Sequence, residues 1–238
     1  MSEGKTEYPR PSLTADVFVV ALHTPAERAG AWLKVLFIQR ARDPFAGRWA
    51  LPGGFVEPTE TVAEAAAREL MEETSLDRVR VEELGCFSKP GRDPRGWVVT
   101  VAHLAPVPED RLADARAGDD AAATAWLDLR IGPLGEGFTL SHGGVPVTEL
   151  AFDHLDIVTA AVARLVSRVD ELAFALLPES FGLADAARAY EAILGVSLDE
   201  QALGERLTSD HVVREIGPGR YAFAGVTRRW PLRSGAEK

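Results

Sequence analysis

The alternation of apolar and polar positions divides the chain near residue 150. Before it, short apolar runs punctuated by Gly and Pro predict strands at Leu13–Thr24, Leu33–Arg40, Trp49–Leu51, Phe55–Val56, Arg78–Ser88, Trp97–Leu104 and Thr124–Leu129. Val17-Phe18-Val19-Val20 reads as a strand buried on both faces. Only one segment of this half changes period. Thr61–Thr74 places Ala63, Ala66, Ala67, Leu70 and Met71 at helical spacing among strong helix formers. Pro25–Ala31, Ala41–Arg48 and Lys89–Gly96 read as connections, Glu109–Asp120 as a surface loop, and Ile131–Val147 as a loop or hairpin.

Past Leu150 the period is helical. Ala151–Val169 carries Ile157, Val158, Ala161, Leu165 and Val169 on one stripe, and helices are predicted again over Ala184–Leu194 and Asp199–Thr208. Two short strands, His211–Ile216 and Arg220–Ala224, flank Pro218-Gly219. Three helices and a hairpin is the order of a winged-helix module. The expected organisation is a flexible lead-in over 1–12, an α/β domain over 13–148, and a helical linker with a winged-helix-like domain over 149–238.

Composition narrows the function classes. A net charge of -10 with pI near 5.1 argues against a nucleic-acid coat, which needs a basic face, and suits carboxylates that bind divalent cations. The single cysteine, Cys86, excludes an internal disulfide and a zinc site with several sulfurs. No apolar run reaches the roughly 18 residues a membrane span needs, and Met1-Ser2-Glu3-Gly4-Lys5 begins without an apolar stretch. A cytoplasmic protein with no membrane partner is expected.

The chemistry is concentrated around the first helix. Glu69, Glu72 and Glu73 stand at i, i+3 and i+4, so they project from one face and repel one another. A Glu-x-x-Glu-Glu group alone is usually a solvated acidic face. Here it follows the Gly53-Gly54 turn, and Glu60 and Arg68 stand at fixed offsets from it. Mg2+, or Mn2+ in its place, is the fitting guest, because a hard cation shares its shell among carboxylates, water and phosphate. Arg68 can pair with Glu60 or Glu69 and hold a carboxylate in its binding rotamer. The glycines let backbone approach a ligand closely. Arginine forks at Arg40, Arg42, Arg48, Arg92 and Arg95 suit a diphosphate, with an Arg-Asp pair at Asp93 as the plainer explanation of the last two.

Gly54, Glu60, Arg68, Glu69, Leu70, Glu72, Glu73 and Leu76 resemble the Nudix box, Gly-x5-Glu-x7-Arg-Glu-aliphatic-x-Glu-Glu-x-Gly-aliphatic. Ser75 stands where that pattern has Gly, in a left-handed position after the helix, at a cost of about 1 kcal/mol. The resemblance implies an α/β/α sandwich with a mixed sheet and metal-assisted attack of water on a diphosphate. It makes Glu69, Glu72 and Glu73 the metal ligands, with Glu60 and Arg68 supporting them. It leaves the general base open among Glu73, Glu109, Asp110, Asp119 and Asp120.

The stretches from Phe45 to Val56, from Gly91 to Val99 and from Gly118 to Trp126, and Ala151-Phe152-Asp153-His154, are similar to one branch of that family. The branch holds ADP-ribose pyrophosphatases and Nudix-related transcriptional regulators with a C-terminal winged helix. The resemblance implies a nucleoside diphosphate-linked small molecule as substrate, ADP-ribose first, and a homodimer. Hydrolysis of ADP-ribose to AMP and ribose 5-phosphate is the leading expectation. The alternative is a regulator of NAD or related metabolism that senses such a nucleotide and binds DNA. Asp199–Arg206 puts that DNA partner in question, since it carries more acid than base where the related regulators are basic. Arg228 and Arg229 remain as wing residues that could touch phosphate. Trp49, Trp97 and Trp126 are core candidates, one of which could stack on adenine. His154, beside Asp153, reads as a cap or domain contact.

Overall fold

The computed structural model describes residues 8–25, 30–116 and 121–224. Asp119, Asp120, Arg228 and Arg229 lie outside the described residues, as does most of the lead-in. The elements in chain order are β1 (Ser12–His23), β2 (Trp32–Arg40), β3 (Trp49–Ala50), β4 (Gly53–Phe55), α1 (Val62–Thr74), β5 (Glu82–Phe87), β6 (Val98–Val107), β7 (Ala121–Ile131), β8 (Phe138–His142) and β9 (Val145–Pro146). Then come α2 (His154–Ser167), α3 (Val169–Ala175), α4 (Leu183–Leu194), α5 (Glu200–Ser209), β10 (Val213–Gly217) and β11 (Arg220–Phe223).

One mixed sheet runs β5-β6-β1-β2-β7-β8-β9, with β3 added to β2 and β4 to β1. The pair β1–β6 is parallel, and its neighbours are antiparallel. Alternation along β1 separates two cores. Ala15, Val17, Val19 and Ala21 face α1, against Ala65, Ala66 and Leu70. Phe18, Val20 and Leu22 face the other way, onto Ile157, Val158, Ala161 and Leu165 of α2. The expected α/β/α sandwich is therefore present, with helices over both faces of β1. On α1 the buried stripe is Ala65, Ala66 and Leu70, while Ala63, Ala67 and Met71 are exposed.

The long helix expected over Ala151–Val169 is divided. It starts at His154 after Phe152, whose φ of 53° is left-handed. It ends at Arg168 (φ -121°, ψ 34°), after which α3 begins. Leu172, Phe174, Phe181, Tyr190, Leu207 and Val213 join the α2-side core, so the C-terminal helices share it with the sheet. The hairpin β10–β11 is antiparallel and docks through Phe174 stacked on Phe223 at 4.6 Å. Ile131–Val147 forms β8 and β9 after a short 3-10 turn. Among the described residues no helix is long and apolar enough to cross a membrane.

Candidate functional site

The acidic helix is built for its position. Thr61 accepts from the Glu64 N–H, and Glu64 accepts in return from the Thr61 N–H at 2.8 Å, which closes a capping box at the start of α1. Ser75 ends the helix at φ 61°, ψ 8°, the left-handed cap the sequence predicts for that position. Arg68 then gathers the carboxylates. Its Nε and Nη2 donate to both oxygens of Glu60 at 3.0 and 2.6 Å, and its Nη1 donates to Glu69 at 2.8 Å and Glu72 at 3.2 Å. The Arg68 hydrogen bonds hold the Glu60 carboxyl down to about 2.

The carboxyls of Glu73 and Glu69 are raised where that of Glu60 is lowered. Glu73 is half-buried and accepts the Gly53 N–H at 2.9 Å. Burial pushes its carboxyl up to about 8 against that hydrogen bond, with Glu69 and Asp16 adding repulsion. Burial raises Glu69 too, against the pull of Arg68. Gly54 explains why the turn carries no side chain there: a Cβ would lie 2.2 Å from the Glu69 Oε1. At Gly53 it would lie 2.2 Å from the Ala15 carbonyl oxygen. Among the described residues no three His, Cys, Asp or Glu side chains converge as a metal cage. Arg68 draws Glu69 and Glu72 one way, and Gly53 draws Glu73 another. The donor chemistry nonetheless suits a hard cation, because crowded oxygen donors that burial holds toward neutrality are relieved by added positive charge.

Beside this helix lies an open cleft. Thr14 and Asp16 of β1, Arg40 of β2, Gly53 to Phe55, the Arg92–Arg95 loop, Phe152 and His154 line it. Arg95 is tied to Asp93 at 2.7 and 3.0 Å, and its guanidinium lies 5.1 Å from the Phe55 ring centre and 5.4 Å from that of Phe152. Burial pushes the Asp93 carboxyl up, and the Arg95 contacts outweigh it and hold it below the ordinary value. Arg40 lies 4.8 Å from the Phe152 ring and donates to the Pro44 carbonyl.

Arg92 has another task. Its Nε and Nη2 donate to Asp153 at 2.9 and 2.6 Å, and Asp16 lies 3.7 Å away. The side chain is 4% exposed. His154, also buried, accepts the Leu51 N–H on Nδ1 at 2.8 Å, so the ring proton sits on Nε2, 3.6 Å from Asp16. His154 thus ties the start of α2 to the turn after β3, and it also forms part of the cleft wall.

Of the residues read from the sequence, Glu60, Arg68, Glu69, Glu72 and Glu73 cluster on or beside α1, and Arg40, Gly53, Gly54, Arg92 and Arg95 line the cleft. Arg48 does not line it; it pairs with Glu149 at 2.8 Å. Two general-base candidates are displaced. Glu109 binds His23 and the Thr24 N–H, and the seven residue steps of β1 from Asp16 to His23 span about 23 Å. Asp110 lies with it, lining a separate cavity beside Leu22 and Leu177. Trp49, Trp97 and Trp126 do not line the cleft; its aromatic surface is Phe55 and Phe152. Asp16 and Phe152 were not singled out by sequence. The available signal was a carboxylate in phase with Phe18 on the core-facing side of β1.

The C-terminal region shows a departure of its own. On α5, Glu200 and Glu205 are exposed, and Arg206 donates to Asp170 at 2.8 Å, sharing that carboxylate with the Tyr190 hydroxyl. Arg214 on β10 is exposed.

Residues 13–134 match the family described as NUDIX domain, and residues 173–222 match the one described as NrtR DNA-binding winged helix domain. The ADPR responsive transcriptional repressor NtrR of Acinetobacter baylyi is 32% identical over 222 residues, 92% of this chain and 80% of that one. An ADP-ribose pyrophosphatase of Methanocaldococcus jannaschii is 42% identical over 125 residues, 52% of this chain and 63% of its own. The crystal structure of a MutT/nudix family protein from Enterococcus faecalis superposes with a TM-score of 0.81 at 33% identity, over 93% of this chain and 89% of that one. Likeness to the repressor and to the crystal structure thus runs through both regions.

Proposed function

This chain belongs to the Nudix family and carries an NrtR-type winged-helix domain, and on that premise we propose that it is a transcriptional regulator whose Nudix domain senses ADP-ribose or a closely related nucleoside diphosphate. The observation that carries this reading is the origin of the cleft wall. Phe152 and His154, which line the cleft, stand at the start of the helix that leads into the winged-helix region. With it goes the match of residues 173–222 to a DNA-binding winged-helix family. Sequence alone put hydrolysis first; the near-complete overlap with a repressor supports the opposite order.

In this reading Arg40 and Arg95 meet the diphosphate, Phe55 and Phe152 offer aromatic surface to the base, and Gly53 and Gly54 let the ligand close on the backbone. Glu69, Glu72 and Glu73 hold Mg2+ or Mn2+, with Arg68 and Glu60 orienting them. Such an ion neutralises phosphate charge and acidifies a bound water. Arg92 holds Asp153 rather than phosphate. The protein works on DNA as a homodimer. Because α5 presents acid, phosphate contact falls to hairpin residues such as Arg214, and the affinity is modest and steeply salt-dependent.

The retained glutamate set favours a second reading, in which ADP-ribose is also hydrolysed. One experiment separates the two. The full chain is titrated with ADP-ribose and Mg2+, AMP release is followed by chromatography, and binding to the DNA upstream of its own gene is measured across a salt series. Nucleotide-sensitive DNA binding supports the regulator. AMP release without DNA binding at any salt replaces it with the hydrolase.

A further inference from the structure

The turn Leu51-Pro52-Gly53-Gly54 is held by groups from three separate elements. The Leu51 N–H donates to Nδ1 of His154, the first residue of α2, at 2.8 Å. The Pro52 carbonyl accepts from Val17 of β1 at 2.8 Å. The Gly53 N–H donates to Glu73 of α1 at 2.9 Å. Two backbone donors two residues apart are therefore satisfied by the acidic helix on one side and by the helix leading to the winged-helix region on the other.

We propose that this turn couples occupancy of the cleft to the winged-helix region, with His154 as the positioning residue that follows it. The inference rests on the reading that the cleft binds a nucleotide together with a divalent cation. A cation drawn to Glu73 would share with the turn a carboxylate whose Oε2 already accepts the Gly53 N–H, and would change where the turn rests. Leu51 is 1% exposed, so its N–H has no water to fall back on. Leaving a buried donor unpaired costs about 1–3 kcal/mol, so the imidazole follows the turn rather than release it. Phe152, at φ 53°, sits two residues before His154 in a conformation that is unfavourable for a bulky side chain and is kept only by its surroundings.

From His154 the displacement has a stiff path. Asp153 is clamped by Arg92, and α2 continues to Ser167. At its far end Arg164 and Arg168 both bind Glu82 of β5, and Arg168 also binds Glu171 of α3. Leu172 and Phe174 of α3 pack in one core with Phe181, Tyr190 and Leu207. A shift at the first turn of α2 therefore arrives in the packing of α3, α4 and α5.

Hydrogen–deuterium exchange of the full chain tests this, with ADP-ribose and Mg2+ as the probe and each protein brought to saturation by calorimetric titration. In the wild type, saturation should change exchange at Leu51 and Gly53, along the first turns of α2, and in α3 and α4, by about fivefold, the lower range of an allosteric coupling. His154→Leu, which removes the acceptor, should confine the change to the cleft. His154→Asn, whose Oδ1 can replace Nδ1 as acceptor, should restore it. Full transmission in His154→Leu overturns the proposal, and so does a wild type that binds nucleotide without any change beyond the turn. Where His154→Leu does not fold, an unaltered Leu51 amide in the saturated wild type overturns it. A wild type that binds no ADP-ribose overturns the functional reading first, and the coupling with it.

Discussion

Replacing Asp153 by asparagine removes the charge that keeps Arg92 in the interior. The two side chains are 4% and 10% exposed and meet through two hydrogen bonds of 2.6 and 2.9 Å. Breaking one partner of such a pair typically costs about 3–5 kcal/mol, because the surviving charge stays buried. Asp16, 3.7 Å from the guanidinium, still offers partial compensation, and the amide oxygen of Asn can accept one of the two bonds. The expected loss is therefore at the lower end, about 3 kcal/mol. With a urea slope of about 2–3 kcal/mol per molar, the midpoint should fall by about 1 M or slightly more. Equilibrium unfolding followed by tryptophan fluorescence measures it, with Trp49 as a local reporter, since its carbonyl accepts the Ala151 N–H. Added salt should leave the difference nearly unchanged, because the pair is shielded from ions. The double variant Arg92→Met with Asp153→Leu should recover most of the loss. A single variant that loses less than about 1 kcal/mol, or a double variant no better than the single, refutes the view that this pair is a buried, interdependent unit.

Ser75→Gly should stabilise the fold by up to about 1 kcal/mol, since Ser75 occupies φ 61°; an unchanged or lower urea midpoint counts against this. Burial holds both His154 and His103 below the ordinary imidazole value, so both are neutral in the fold. Below about pH 6.5 the unfolded chain takes up protons that the folded one refuses, and the stability these groups contribute at neutral pH is lost on acidification. Glu73, raised to about 8, acts in the opposite sense over the same window. The clean measurement is therefore the stability difference between wild type and His154→Asn, which should shrink from pH 7.5 to 5.5; a widening gap contradicts it. Glu73→Gln keeps an acceptor for the Gly53 N–H but cannot ionise to meet a cation. It should weaken Mn2+ binding by at least about tenfold while leaving the metal-free fold intact, and an unaltered calorimetric Mn2+ titration would remove Glu73 from the ligand set.

The acidic helix was legible because its signals are local. Thr61, Arg68 and the three glutamates lie within fifteen residues, and like charges at helical spacing stand out against propensity. Even the misfit at Ser75 translated directly into a left-handed backbone. The cleft was not legible to the same degree. Asp16, Leu51, Arg92 and Asp153 come from four distant segments, brought together by the parallel pairing of β1 with β6 and by the return of the chain into α2. No spacing rule encodes such a meeting. Arg92 looked like a phosphate ligand because a loop arginine and a buried one have the same local sequence. Glu109 sits at the far end of β1, a strand length away from Asp16, and no local spacing reveals that separation. The short helix α3 shows no clear period because its seven residues set two acids, Asp170 and Glu171, directly before three consecutive buried residues, Leu172, Ala173 and Phe174.

The salt link between Arg92 and Asp153 also bears on where this protein can be cut. A piece ending at residue 148 would look complete by family likeness, yet it would discard Asp153 and His154. Arg92 would then keep only Asp16 for company, and the Leu51 amide would lose its acceptor. The cleft thus takes one wall from the helix that also covers this face of the sheet, and a cut at residue 148 would remove both together. A shortened form intended to keep ligand affinity should run at least through Arg168, where α2 gives way to α3.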